Sequence, residues 1–111
     1  MNNNDKGAAT LQSEISELLE NPLRSSLRVS GPTFFSDTTN LTYYIVFRKS
    51  GSHNLLIGRS KNVYGELKEF LESYEYDVDQ HSHGHARILG ITSEQIVETI
   101  NLIEASFKNS D

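Results

Sequence analysis

The chain contains no cysteine, only two prolines, and ten basic residues against fifteen acidic ones. Without thiols, a disulfide scaffold and any zinc site built on cysteine are excluded. A formal net charge of −5 excludes a broadly basic nucleic-acid module, although it leaves room for a local basic patch. No apolar run approaches the roughly 20 residues that a membrane-spanning helix needs. The segment Met1-Asn2-Asn3-Asn4-Asp5-Lys6 lacks the basic-then-apolar layout of a secretory signal. A soluble cytoplasmic protein with no membrane partner is therefore expected. A chain of 111 residues has room for one domain with a modest core.

Residues 1–9 are polar and are expected to form a disordered tail. From Thr10 a helical period begins, with Leu11, Ile15, Leu18 and Leu19 on one face. Thr10 suits an N-cap, and Asn21-Pro22 ends the helix because a residue before proline avoids the α region. A helix of about eleven residues is marginal alone and must dock. It docks either on its own domain or on a partner, including a second copy in a homodimer through this helix. Leu27-Arg28-Val29 reads as a short strand, Ser30-Gly31-Pro32 as a turn and Ser36–Asn40 as a loop. Residues 10–40 are thus expected to be a helix followed by a connector.

Residues 41–111 form the expected main domain. Leu41–Arg48 is rich in strand-forming residues, Lys49–Asn54 is a turn, and Leu55–Gly58 resumes as a strand, which makes a β-hairpin. Ser60 is positioned to cap a helix whose apolar face is Val63, Leu67, Phe70, Leu71 and Tyr74. Gly65 inside that helix costs roughly 1 kcal/mol relative to alanine, so either a close backbone approach or simple tolerance keeps it. Tyr76–Gly84 reads as a polar loop, and Ala86–Ile91 as a third strand. Thr92-Ser93-Glu94-Gln95 is a capping box opening a helix with Ile96, Ile100, Ile103 and Phe107 on one face. The expected fold is α+β. It has a β-β-α-β-α core, a small, largely antiparallel three-stranded sheet flanked by helices, and an extra N-terminal helix.

Thr42-Tyr43-Tyr44, then eleven residues, then Leu56-Ile57-Gly58 and Arg59-Ser60-Lys61-Asn62-Val63, resembles the GIY-YIG nuclease signature. The β-β-α-β-α order is similar to that family's core, and the resemblance spans residues 41–107. It implies metal-assisted phosphodiester hydrolysis with a divalent cation such as magnesium, held by a glutamate on the last helix. It further implies strand tyrosines that handle the attacking water and a helix arginine that faces the phosphate. Here Tyr43 or Tyr44 can serve as the first tyrosine, but the second position holds Leu56 and the arginine position holds Glu66. The metal glutamate falls on Thr99, with Glu98 one residue short. Three of four chemical positions are lost. The resemblance therefore implies a degenerate, non-catalytic binding or regulatory module. The alternative is a DNA endonuclease using Tyr43, Tyr44, Arg59 and Glu98 in displaced positions.

His81, His83 and His85 alternate, so as a strand they would share one face and could meet a metal, although a solvated histidine loop is the plainer reading. Arg48, Lys49, Arg59 and Lys61 gather around the hairpin and the following helix as candidates for contacting nucleic acid, although ordinary surface charge is the plainer reading. Tyr43 and Tyr44 beside them could stack on bases. Glu66, Glu69, Glu72, Glu75, Asp77 and Asp79 would repel nucleic acid and could instead meet a basic protein, the role of an adaptor. The partner is thus a protein or a nucleic acid, and no cofactor is required unless the nuclease alternative holds.

Overall fold

The computed structural model describes residues 3–59, 62–81 and 84–107. Along the chain these form α1 (Asn3–Leu18), β1 (Arg24–Arg28), β2 (Gly31–Phe35), β3 (Thr42–Val46) and β4 (His53–Gly58). There follow α2 (Tyr64–Glu72), β5 (Val78–His81), β6 (His85–Ile91) and α3 (Ser93–Ser106). The six strands make one sheet in the order β1-β2-β3-β4-β6-β5, with every neighbouring pair antiparallel.

This corrects the expected three-stranded sheet. The fold is α+β, and the anticipated strands are present as β3, β4 and β6, but they are the interior of a six-stranded sheet. Two extra strands come from the supposed connector. β1 is exposed along its whole length and so carries no burial period. β2 opens on Gly31-Pro32, a pair that reads locally as a turn. Gly31 is required there: at φ +148° an added Cβ would lie 2.2 Å from the Ile45 carbonyl oxygen. The third addition, β5, is Val-Asp-Gln-His, in which only Val78 is buried.

Strand alternation puts Phe34, Tyr43, Ile45, Leu55, Ile57, Val78, Ala86 and Ile88 on one face, all of them buried. The helices cover that face with Leu11, Ile15 and Leu19 of α1 and the residue after it, Leu67 and Leu71 of α2, and Ile96, Ile100 and Ile103 of α3, in one continuous cluster. Phe70 meets Phe107 edge-on at 4.9 Å between ring centroids, which joins α2 to the end of α3. The result is two layers, helices on one side and an uncovered sheet face on the other.

Helix boundaries also shift. α1 reaches back to Asn3, into the stretch expected to be a tail, so Thr10 lies inside the helix and is no cap. Its apolar face is spent within the chain, and Leu18, expected on that face, is exposed. α2 begins at Tyr64, whose N–H donates to Asn62 Oδ1 at 3.0 Å; Ser60, the expected cap, lies outside the described residues. Around Gly65 there is open space, so simple tolerance explains it. The capping box of α3 forms as expected: Gln95 N–H donates to Thr92 Oγ1, and Thr92 N–H donates to Gln95 Oε1. Among the described residues no helix is long and apolar enough to cross a membrane.

Candidate functional site

Because adjacent residues in a strand face opposite ways, the register defines what the uncovered face displays. One row runs Ser26, Thr33, Tyr44, Leu56, Arg87, Asp79 across all six strands. A neighbouring row runs Arg24, Phe35, Thr42, Gly58 and ends on the cross-strand pair His85 and His81. Gly58 leaves the space that the His85 ring fills, since a Cβ there would lie 1.7 Å from His85 Cδ2. His85 in turn stacks on Tyr44, with centroids 5.9 Å apart and planes 29° apart.

Two arginines of the edge strand lie over aromatic rings on this face. Arg24 stands 4.6 Å from the Phe35 centroid and Arg28 stands 5.7 Å from that of Tyr44. Arg24 also pairs with Asp37 at 2.9 Å, and Arg87 forks onto Asp79 with bonds of 3.0 and 2.8 Å. That fork holds the Asp79 carboxyl below its usual range. Arg28 has no acidic partner among the described residues. The face therefore alternates aromatic planes with guanidinium planes, a surface able to stack on flat groups and meet anions.

The opposite layer holds a buried carboxylate. Glu104 lies near the end of α3, four residues after Ile100, and is turned toward the sheet. Ser36 Oγ donates to its Oε1 at 2.5 Å, while Thr39 Oγ1 and Tyr43 Oη donate to Oε2 at 2.9 and 2.6 Å. The β2–β3 loop is shaped for this task. Ser36 N–H donates to the Leu41 carbonyl and Asn40 N–H to the Ser36 carbonyl, with Asn40 at φ +62°. Thr39 and Leu41 N–H groups donate to the Ser36 and Thr39 hydroxyl oxygens, which leaves those hydroxyl protons for the carboxylate. Burial, reinforced by the adjacent carboxylate, pushes the Tyr43 phenol far above its ordinary range, in keeping with the hydrogen bond it donates. Glu104 also borders a cleft of about 440 Å³ lined by Asn21, Pro22, Leu23, Arg24, Phe35, Asp37 and Thr38.

The four residues of the endonuclease alternative do not share a site. Tyr43 points into the helical layer, and Tyr44, next in the strand, points to the uncovered face. Glu98 is exposed and accepts a short hydrogen bond from Tyr76, whose phenol is shifted upward by burial and by that carboxylate. Arg59 borders a small cavity with Glu66 and Phe107; its buried Nε has no hydrogen-bond partner. Glu98 and Phe107 are nine residues apart on or beside α3, about 14 Å along a helix axis, so Arg59 and Glu98 sit toward opposite ends. Thr99 is buried and bonds back to the Gln95 carbonyl at 2.8 Å.

No family model, curated protein or solved structure matches the chain. The likeness to the GIY-YIG signature therefore rests on residue spacing, and the sheet around that spacing is larger than the one it implied.

The remaining expected residues divide. Arg48 and Lys49 are exposed at the β3–β4 turn, while Arg59 follows the far end of β4, so the anticipated basic patch is split by a strand about 17 Å long. Lys61 lies outside the described residues, as does His83. His81 and His85 face each other across the β5–β6 hairpin, and among the described residues no group of three metal-ligating side chains forms. Sequence reasoning missed Glu104, Ser36 and Thr39, and passed over Arg24 as part of a connector. A signal for Glu104 did exist: it continues the Ile96–Ile100 row at four-residue spacing.

Proposed function

We propose that the protein is a non-catalytic binding module whose uncovered sheet face takes a single-stranded nucleic acid. The observation that carries this reading is the pairing of Arg28 with Tyr44 and Arg24 with Phe35 on a sheet face that no helix covers among the described residues. Bases stack on aromatic rings and on guanidinium planes alike, and the arginines' remaining N–H groups are free to meet phosphates. Charge distribution supports the same face. Among strand residues Arg24, Arg28 and Arg87 outnumber Asp79, whereas α2 and α3 carry six glutamates against Lys68. Each stacked base contributes roughly 1–3 kcal/mol.

The test is fluorescence anisotropy of labelled single-stranded DNA and RNA oligonucleotides at low salt. Saturable binding is expected, weakened about tenfold or more by Tyr44→Ala, and weakened also by Arg28→Ala. Absence of binding, or binding indifferent to both changes, overturns the reading. Binding of a basic protein to the acidic helical layer, with no nucleic-acid binding, would favour the adaptor role instead. A plasmid-nicking assay with magnesium is expected to show no cleavage, and cleavage abolished by Glu98→Ala would restore the endonuclease alternative.

A further inference from the structure

We propose that the cleft between the α1–β1 linker, the β2–β3 loop and α3 binds a small organic cation carrying a guanidinium group, anchored by Glu104. This goes beyond the sheet-face reading and does not depend on it. The cleft, at about 440 Å³, falls within the roughly 300–1,000 Å³ range of small-molecule sites. Glu104 is only 8% exposed and borders that space, yet no basic side chain among the described residues pairs with it. Its three hydroxyl donors supply hydrogen bonds without positive charge, and among the described residues Oε1 accepts only from Ser36, which leaves it room for another donor. A buried carboxylate without a counter-cation gains more from an incoming cation than an exposed one does.

The chain itself shows what the outer part of the cleft receives. Arg24 rests its guanidinium over Phe35 and against Asp37, both of which line the same space. That pair is held loosely, with both side chains largely exposed. An external guanidinium can go deeper, to Glu104, with its apolar stem along Pro22 and Leu23. The same chemistry could arrive as a free guanidine compound or as an arginine side chain of a peptide.

The experiment is a titration of the full chain with n-butylguanidine, followed by amide chemical shifts, with neutral n-butylurea as control and a Gly-Arg-Gly tripeptide as a second arm. Saturable shifts confined to residues 21–24, residues 35–39 and the end of α3 are expected with n-butylguanidine and absent with n-butylurea. Shifts with the tripeptide as well would identify a peptide arginine as an acceptable source, and their absence would restrict the site to free guanidines. Glu104→Gln is expected to weaken binding about tenfold or more. Since that variant alters a buried cluster and could unfold, Thr38→Trp fills the exposed rim without touching the three hydroxyls and should abolish binding. Arg24→Ala should tighten it. No saturable shift in the wild-type protein at millimolar n-butylguanidine overturns the proposal. Equal binding of n-butylurea, or undiminished binding by folded Glu104→Gln or by Thr38→Trp, overturns it as well.

Discussion

Gly65 and Gly58 are both glycines within regular structure, and their surroundings predict opposite responses to a methyl group. At Gly65 nothing lies within reach of an added Cβ, so Gly65→Ala should stabilise by about 0.5–1 kcal/mol through helix propensity alone. At Gly58 the Cβ would enter the His85 ring, so Gly58→Ala should destabilise by about 1–3 kcal/mol and break the His85–Tyr44 stack. Urea midpoints of the two variants measure the contrast. His53 supplies a pH response. Its Nδ1 accepts from the Arg48 N–H at 3.0 Å, and its ring stacks on Phe47 at 5.4 Å. Burial lowers its pKa, with Glu14 pulling weakly the other way. A histidine with a depressed folded pKa takes up a proton more readily in the unfolded chain. Stability is then fully present above the unfolded value of about 6.5 and declines as pH falls from there toward the folded value. The urea midpoint should fall between pH 7 and 5, and His53→Gln should flatten that fall.

At the scale of elements, β1 is an open edge of the sheet with exposed residues throughout. An antiparallel pairing of two copies centred on Ser26 would put Arg24 opposite Arg28 twice, and like charges directly opposed are unfavourable. The double variant Arg24→Thr, Arg28→Thr should therefore raise the dimer or aggregate fraction at high concentration, measured by light scattering, without lowering thermal stability. The same strand explains what could and could not be read in the residue order. β3, β4, β6 and the face of α3 were legible because each buries one side and leaves a period of two or of three to four. β1 buries neither side, so only its end is read, as the short strand Leu27-Arg28-Val29, while β2 opens on a turn-like pair and β5 has one buried residue, and neither leaves a period to find. Tyr43 stands out in the sequence as a strand tyrosine, and in the structure its hydroxyl donates to Glu104 inside the core. Glu104 continues the Ile96–Ile100 row, but its chemical role stays hidden because the hydroxyls that receive it, Ser36 and Thr39, lie 68 and 65 residues earlier.

Across the whole molecule, the net charge of −5 conceals a division into an acidic helical layer and a sheet face that carries the strand arginines. If Arg24, Arg28 and Arg87 make the phosphate contacts, a plot of log affinity for single-stranded nucleic acid against log salt should have a slope near −2. That follows from about 0.7 counterions released per phosphate over three contacts. A slope steeper than about −4 would point to cations elsewhere, such as Arg48 and Lys49 at the β3–β4 turn. The helical layer should keep overall affinity modest, because its carboxylates repel the parts of a strand that overhang the sheet.

The Glu104 cluster also has a bearing on time. Its hydroxyl donors come from residues 36–43 and its carboxylate from α3, so it closes only when α3 docks on the sheet. Closing a loop of that length costs entropy before the contact can repay it, so this contact is expected to form late. Removing one, as in Tyr43→Phe, should leave the refolding rate nearly unchanged and accelerate unfolding, seen in stopped-flow kinetics as a shift of only one limb of the chevron. The carboxylate at the end of α3 then acts as a latch on the closed domain, setting how long the fold lasts and not how fast it is reached.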